Sequence, residues 1–273
     1  MRFFGKSKID IDVERHLRSL GDTLRGRTVV DLPAGAGRMS RVLLELGAKV
    51  EPYDLFPEFF RVEALQCREA DLNGRLPIAD KHADCVLFQE GIEHLPDQLN
   101  ALVEMNRILK PGGRLIITTP NISNLRARFG ALVLDSDLHN KLPRNELDSV
   151  SYSSGTDQRV YFGHLFLISV QRLRALALIS GFRLYAIHPC KVSWGSIALG
   201  FIYPLMVVFT LLGYFGSSRL RHVKQRHAPA RIRDSFREIA KLNLHPQVLF
   251  GKKLFVEFEK VGDSNAAAWA PRG

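Results

Sequence analysis

The sequence predicts an α/β fold: a seven-stranded, mostly parallel sheet with an antiparallel seventh strand, plus a hydrophobic helical insertion. Three observations predict it. Short β-branched runs alternate with helically spaced apolar residues over the first 120 positions, the pattern of βαβ units around a parallel sheet. A glycine turn, Asp31-Leu-Pro-Ala-Gly-Ala-Gly37, follows the first of those runs. An uncharged run, Val192 to Ser218, separates the last two strand-like stretches.

The elements follow in order. Asp12 to Leu24 reads as a leading helix, and Arg27 to Leu32 as the first strand. Ser40 to Leu46 is helical, Lys49 to Asp54 is the second strand, and Cys67 to Leu72 the third. Ala83 to Gln89 is the fourth. Asp97 to Leu109 carries apolar residues at helical spacing, and Lys110-Pro-Gly-Gly113 stops it. Arg114 to Thr119 is the fifth strand. Ser169 to Ser180 is a helix ended by Gly181, and Phe182 to Ile187 is the sixth strand. Lys253 to Phe258 alternates as a seventh. These limits give one domain over 1–189 and 252–260, a substrate-side insertion at 121–164, a hydrophobic and basic helical insertion at 190–251, and a disordered tail at 261–273.

Composition removes several classes. The chain has 273 residues, a net charge of +10 and 46% hydrophobic residues, too apolar for a disordered chain. Cys67, Cys85 and Cys190 are far apart and lack a CxxC, which excludes a disulfide scaffold or zinc ribbon and suits a reducing cytoplasm. The start, Met1-Arg-Phe-Phe-Gly-Lys6, offers no apolar h-region, so no secretory leader is expected. Residues 1–120 carry 17 basic and 18 acidic side chains, whereas residues 219–260 carry 11 and 4. The basic excess is therefore local, and nucleic acid is not the expected partner: no aromatic-rich reading surface accompanies the charge.

The glycine turn lets backbone approach a ligand, and the helix after it favours an anionic group. Asp54 at the end of the second strand can accept hydrogen bonds from ribose hydroxyls, and Asp71 ends the third strand in the same relation. A dehydrogenase turn would read G-x-G-x-x-G, but Gly35-Ala-Gly37 is followed by Arg38, Met39 and Ser40. With Gln89-Glu-Gly-Ile-Glu-His-Leu-Pro-Asp97 and Leu109-Lys-Pro-Gly-Gly113, residues 25–120 resemble the class I, Rossmann-like methyltransferases that use S-adenosylmethionine. Residues 165–189 and 252–260 resemble them more loosely. The resemblance implies that Asp31, Ala34, Gly35, Ala36 and Gly37 hold the methionine portion. It implies that Asp54 grips the ribose, that Asp71 and Leu72 contact adenine, and that Gln89 lies beside the methionine. Pro33 departs from the pattern, standing where the first glycine is usual, and it donates no hydrogen bond. The alternative is a nucleotide-fold domain that binds no cofactor.

Methyl transfer to a hydroxyl is helped by a base. His94 follows the fourth strand at the mouth of the site and is the first candidate; a packing or capping histidine is the other reading. Glu90, Glu93 and His94 also resemble the post-strand motif of ubiquinone-pathway O-methyltransferases, where such groups hold a divalent metal; no metal is otherwise expected. The stretch Pro120 to His164 is far longer than an ordinary loop and supplies His139 and His164 as further base candidates. Thr119-Pro-Asn121 and Gly163-His-Leu-Phe166 resemble bacterial methyltransferases linked to cell-surface glycan and lipopolysaccharide synthesis.

The uncharged run is long enough to span a bilayer, and Arg219, Arg221, Lys224, Arg226, Arg231, Arg233 and Arg237 follow it. A single crossing would separate the seventh strand from its partners. The expected form is a same-side return turning near Gly200 and Pro204, or a helix in the interface, with a buried core helix or a second copy of the chain as alternatives. Arg231 to Lys241 reads as a basic amphipathic helix. The resulting expectation is an S-adenosylmethionine-dependent methyltransferase at the inner face of the cell membrane. It would rest on anionic lipid and O-methylate a lipid-linked glycan or other amphiphile. The alternatives are a soluble small-molecule or quinone O-methyltransferase and a non-catalytic membrane adaptor.

Overall fold

Short runs of β-branched and other apolar residues, buried on both faces in the central strands, build the sheet. The structure, a computed structural model, describes residues 7–136, 143, 145–152, 160–220 and 229–264. Its strands are β1 (Thr28–Asp31), β2 (Lys49–Asp54), β3 (Arg68–Glu69), β4 (Ala83–Gln89), β5 (Leu109–Pro120), β6 (Val150–Tyr152), β7 (Val160–Phe162), β8 (Phe182–Ile187) and β9 (Lys253–Lys260). Seven of them form one sheet in the order β3-β2-β1-β4-β5-β9-β8, and β6 and β7 pair as a separate antiparallel ribbon. Strands β3, β2, β1, β4 and β5 are parallel, and β9 runs antiparallel to both β5 and β8. This is the Rossmann-like sheet with an antiparallel last strand that the sequence predicts.

Successive side chains point to opposite faces, so each central strand feeds two cores. Val30, Val86, Phe88, Leu115, Ile117, Val256 and Phe258 face one core, which α3 (Gln98–Ile108) and α6 (Val170–Ile179) cover. Val29, Cys85, Leu87, Ile116 and Phe255 face the other, beneath α1 (Lys8–Leu20) and α2 (Arg38–Glu45). By the same alternation Glu257 shares the α1 face with Phe255.

Several limits differ from the sequence reading. The leading helix starts at Lys8, because Ser7 and Asp10 form a reciprocal capping box, and Gly21–Leu24 is a separate 3-10 turn. The third strand shrinks to Arg68–Glu69, and Asp71 lies beyond it in a turn. The Lys110-Pro-Gly-Gly113 stop is absorbed into β5 as an irregularity: pairing with β4 jumps from Ala83↔Leu109 to Cys85↔Arg114. The stretch after β5 contains α4 (Leu125–Leu134), α5 (Glu146–Ser149), β6 and β7.

The uncharged run is broken. It forms α7 (Trp194–Ala198), a 3-10 turn (Gly200–Ile202) and α8 (Tyr203–Leu220). The break falls at Gly200, where the sequence places its turn. Among the described residues no helix is long and apolar enough to cross a membrane. Then follow α9 (Pro229–Asn243) and α10 (Pro246–Phe250). Leu242, Val248 and Leu249 are buried, the first two in the α3/α6 core, so the end of the 190–251 segment belongs to the main core. Of the expected tail, residues 265–273 lie outside the described residues.

Candidate active site

Parallel strands deliver the ends of β1, β2, β4 and β5 to one edge, and the antiparallel β9 returns its first residue, Lys253, to that edge opposite Pro120. The order reverses between β1 and β4, the switch point where ligands bind in open α/β sheets.

Asp31 closes β1 and is 2% exposed; the Ser40 hydroxyl of α2 donates to it at 2.5 Å. Burial raises its pKa to about 7, the Ser40 bond opposes that, and the charge of Asp54 adds to it. Asp54 closes β2, also buried. Its oxygens accept from the backbone N–H of Gly35 at 2.8 Å and of Phe56 at 2.9 Å. The turn between them is held by Ala34 N–H donating to the Tyr53 carbonyl and by Gly37 N–H donating to the Ala34 carbonyl. Pro33 therefore takes a position from which the turn's own bonding draws no N–H. Gly37 adopts φ +80°, and a Cβ there would stand 2.5 Å from Phe60 Cε2, so only glycine fits. Ala36 lies in the same turn.

Gln89 ends β4. Its amide nitrogen donates to Asp10 Oδ1 at 2.7 Å, while its Oε1 is buried with no hydrogen-bond partner among the described residues. Asp10 also accepts from Arg38 at 2.7 Å and from the Ser7 N–H. The first turn of α1 is thus tied to both β4 and α2. Sequence reasoning passes over Asp10 and Arg38; the only local signal at Asp10 is the capping box.

Asp71 corrects the sequence reading. It is exposed and accepts from Asn73 N–H at 2.8 Å and from the Asn73 amide at 2.9 Å, forming a turn two residues past β3 instead of ending it. Leu72 is partly buried against the α3/α6 core.

The second group sits past β4. Glu90 adopts φ +52°, a left-handed conformation uncommon outside glycine and concentrated at functional sites. Its carboxylate is ion-paired with Lys253 and accepts from the Thr118 hydroxyl at 3.2 Å. Glu93, in the 3-10 turn Ile92–His94, is fully buried. Burial and the nearby Glu90 charge raise it to about 7, against the hydrogen bond from Thr119 and the Lys253 charge. Glu93 Oε1 has no hydrogen-bond partner among the described residues and lies 4.0 Å from His164 Nε2. His94 Nδ1 meets the Phe162 carbonyl at 2.6 Å. A carbonyl only accepts, so Nδ1 carries the proton and Nε2 is the basic nitrogen. Burial lowers the His94 pKa, with the Phe162 and Gly163 carbonyls opposing, and the ring is neutral at pH 7.

His94 and His164 therefore come together with Glu93, their rings 5.0 Å apart. The ligand atoms of Glu93, His94 and His164 lie within 4.8 Å of one another, a set of mixed nitrogen and oxygen donors suited to a divalent ion. This replaces the Glu90, Glu93 and His94 set, because Lys253 occupies Glu90. His139 lies outside the described residues.

Two buried carboxylates and an unpartnered carbonyl oxygen suit a cationic ligand, and the glycine turn admits it closely. The residues present fit S-adenosylmethionine, which carries a sulfonium and an ammonium. Comparison agrees over this part of the chain. Residues 30–117 match the model of a methyltransferase domain. A ubiquinone biosynthesis O-methyltransferase of Methylococcus capsulatus is 30% identical over 139 residues, 48% of this chain and 58% of that one. A demethylmenaquinone methyltransferase of Tropheryma whipplei is 31% identical over 98 residues, 34% of this chain and 41% of that one. The chain thus spans less than two thirds of the length of these relatives. A crystal structure of a Pyrococcus horikoshii protein superposes with a TM-score of 0.50 at 20% identity, covering 70% of this chain and 89% of that one, and shares the fold.

The raised Asp31 gives a pH prediction. Between its unfolded value near 4 and its folded value of about 7, the native state keeps a proton that the unfolded chain has released. Stability therefore falls as pH rises through that window, by up to about 4 kcal/mol. Asp31→Asn should remove this component, so the variant gains on the ligand-free parent as pH goes from about 5 to 8. Denaturant midpoints across that range check it; parallel pH curves would show that Asp31 is not the buried acid described.

Proposed function

We propose that the chain, built on the methyltransferase domain of residues 30–117, is an S-adenosylmethionine-dependent O-methyltransferase whose acceptor is a quinone-type amphiphile. One observation carries the reading. A neutral imidazole, His94, and a buried acid, Glu93, follow β4, the strand beside the one that ends in the buried Asp31. When bound, S-adenosylmethionine supplies an electrophilic methyl group on sulfonium. Asp54 and the Gly35–Gly37 backbone bind it, with Asp31 as the second buried charge. Gln89 Oε1 offers an acceptor to a cationic group, and Asp10 fixes the Gln89 amide. His94 Nε2 takes the proton of the acceptor hydroxyl, and the Phe162 carbonyl holds the ring in the tautomer that permits this. Glu93 and His164 stand beside it to favour the imidazolium that results.

The apolar helices supply the acceptor class. Asn124 caps α4 just past β5, and α4 meets α7, where the Ser196 hydroxyl accepts from Arg126 N–H at 3.2 Å. From there Trp194, Phe201 and Phe209 stand 78, 77 and 63% exposed, alongside Leu205, Leu212 and Phe215. Monomer surfaces rarely leave so much contiguous oil in water. The basic residues from Arg219 to Arg237 adjoin it in sequence, and Arg237 and Lys241 are exposed on α9. We read this face as resting in the headgroup region of an anionic cytoplasmic leaflet, where an amphiphile can enter from the lipid. One relative reported above is named for ubiquinone biosynthesis and the other for demethylmenaquinone, which favours a quinone-type acceptor over the lipid-linked glycan.

Two measurements test this. Incubating protein with methyl-labelled cofactor and a prenylated catechol should give a labelled methyl ether. His94→Ala should slow turnover about 10²–10⁴-fold, with the rise of rate with pH lost. A rate within a few-fold of the parent would remove His94 from the role of base, and no labelled ether would remove the acceptor class. In flotation, protein should rise with phosphatidylglycerol vesicles and stay partly bound at high salt, and Phe201→Glu with Phe209→Glu should stay behind. Equal flotation of the two proteins would contradict the docking face.

A further inference from the structure

Beneath α1, on the face of the sheet opposite α3 and α6, three chemistry-bearing side chains from distant parts of the sequence meet. Glu257 lies mid-strand in β9, on the face under α1, and is 5% exposed. A carboxylate on a core face is costly unless something compensates it. His16 approaches from α1 and His188 from the residue after β8. His188 Nε2 lies 2.8 Å from Glu257 Oε2, and His16 Nε2 lies 3.6 Å from the same oxygen. The two imidazoles overlap at 3.8 Å between centroids, and both lean on Phe255.

The arrangement is incomplete as hydrogen bonding. At 3.6 Å His16 Nε2 is beyond hydrogen-bond reach of the carboxylate. It is buried and makes no hydrogen bond among the described residues. An imidazole nitrogen aimed at a shared carboxylate oxygen without reaching it leaves a gap with three donors around it. The three ligand atoms lie within 4.8 Å of one another. Around a tetrahedral ion with bonds near 2.0–2.1 Å, ligand atoms stand about 3.3 Å apart, and the observed separations from Oε2 straddle that value. Arg114 engages the other side of the carboxylate, 3.6 Å from Oε1, and stacks on Tyr185 at 3.4 Å. Oε2 is thereby the oxygen turned to both rings. The neighbouring guanidinium weakens attraction for a dication, so modest affinity is expected.

We propose that His16, His188 and Glu257 form a structural site for a first-row divalent ion of the zinc class, completed by water. Two imidazoles and one carboxylate are borderline donors that favour Zn²⁺ or Co²⁺ over Mg²⁺ or Ca²⁺. The ion pins α1 to β9 and to the end of β8. Asp10 lies six residues before His16 on α1, about 9 Å along the helix axis. The same helix that takes the ion therefore carries the Asp10–Gln89 bond to the cofactor side, and the ion fixes where that helix sits.

The test uses the full chain stripped with chelator and titrated with Co²⁺, whose visible absorption reports tetrahedral nitrogen and oxygen ligation. Zn²⁺ follows by competition. The parent should show this spectrum and a raised Tm with Zn²⁺. His16→Ala and His188→Ala should each weaken binding at least about tenfold. His94→Ala should keep this binding intact, which separates it from the Glu93, His94 and His164 group. Zinc-edge absorption of loaded His94→Ala, in which the Glu93 group retains one imidazole, should still show two imidazole ligands, a readout that stands even if the His16 or His188 variant misfolds. Absence of metal binding, a signal lost with His94→Ala and kept in His188→Ala, or a zinc edge without two imidazoles in loaded His94→Ala would each overturn the proposal.

Discussion

Two acids are buried at the ends of neighbouring parallel strands, and among the described residues neither Asp31 nor Asp54 pairs with a basic side chain. Much of the site's architecture follows from that constraint. Backbone N–H groups of Gly35 and Phe56 satisfy Asp54, so the turn must be tight and glycine-bearing. Burial lifts the Asp31 pKa to about 7 and the Asp54 charge adds to it, while the Ser40 hydrogen bond offsets only part of that rise. A protein that keeps two such groups together spends stability on a place for a cation.

Helix α1 is the strap across this arrangement. Its first turn holds Gln89 and Arg38 through Asp10, Asp12 accepts from the Lys191 N–H, and His16 faces Glu257 at 3.6 Å near its end. Val13 and Leu17 bury the face between. Displacing α1 would disturb the core on that side and the Gln89 amide together, so packing and cofactor side are mechanically linked.

The central strands are legible because short β-branched and apolar runs act locally, alternation marks only the last strand, and the carboxyl ends follow from βαβ topology. Asp54 follows from its place at the end of a strand, whereas the roles of Asp31 and Gln89 come only with the resemblance to the S-adenosylmethionine-dependent methyltransferases. Asp71 departs from a strand-end position because β3 is an edge strand of two residues, too short for its sequence pattern to fix its end. The Glu90–Lys253 pair was illegible because it joins residues 163 apart, brought together only when β9 inserts antiparallel beside β5. His164 was legible as a candidate, but its position beside Glu93 depends on the ribbon of β6 and β7 and the chain after it. The uncharged run was legible as oil, while its exposure depends on what packs on it. That α7 and α8 keep a bare face is a tertiary fact.

Calorimetric titration of S-adenosylmethionine into the parent and into Asp54→Ala tests whether the β1 and β2 carboxylates form a cation-binding cofactor site. Saturable binding by the parent is expected, tightening as pH rises through about 7, with binding at least about tenfold weaker in Asp54→Ala. No heat of binding in a folded parent, or equal affinity in the two proteins, would contradict it.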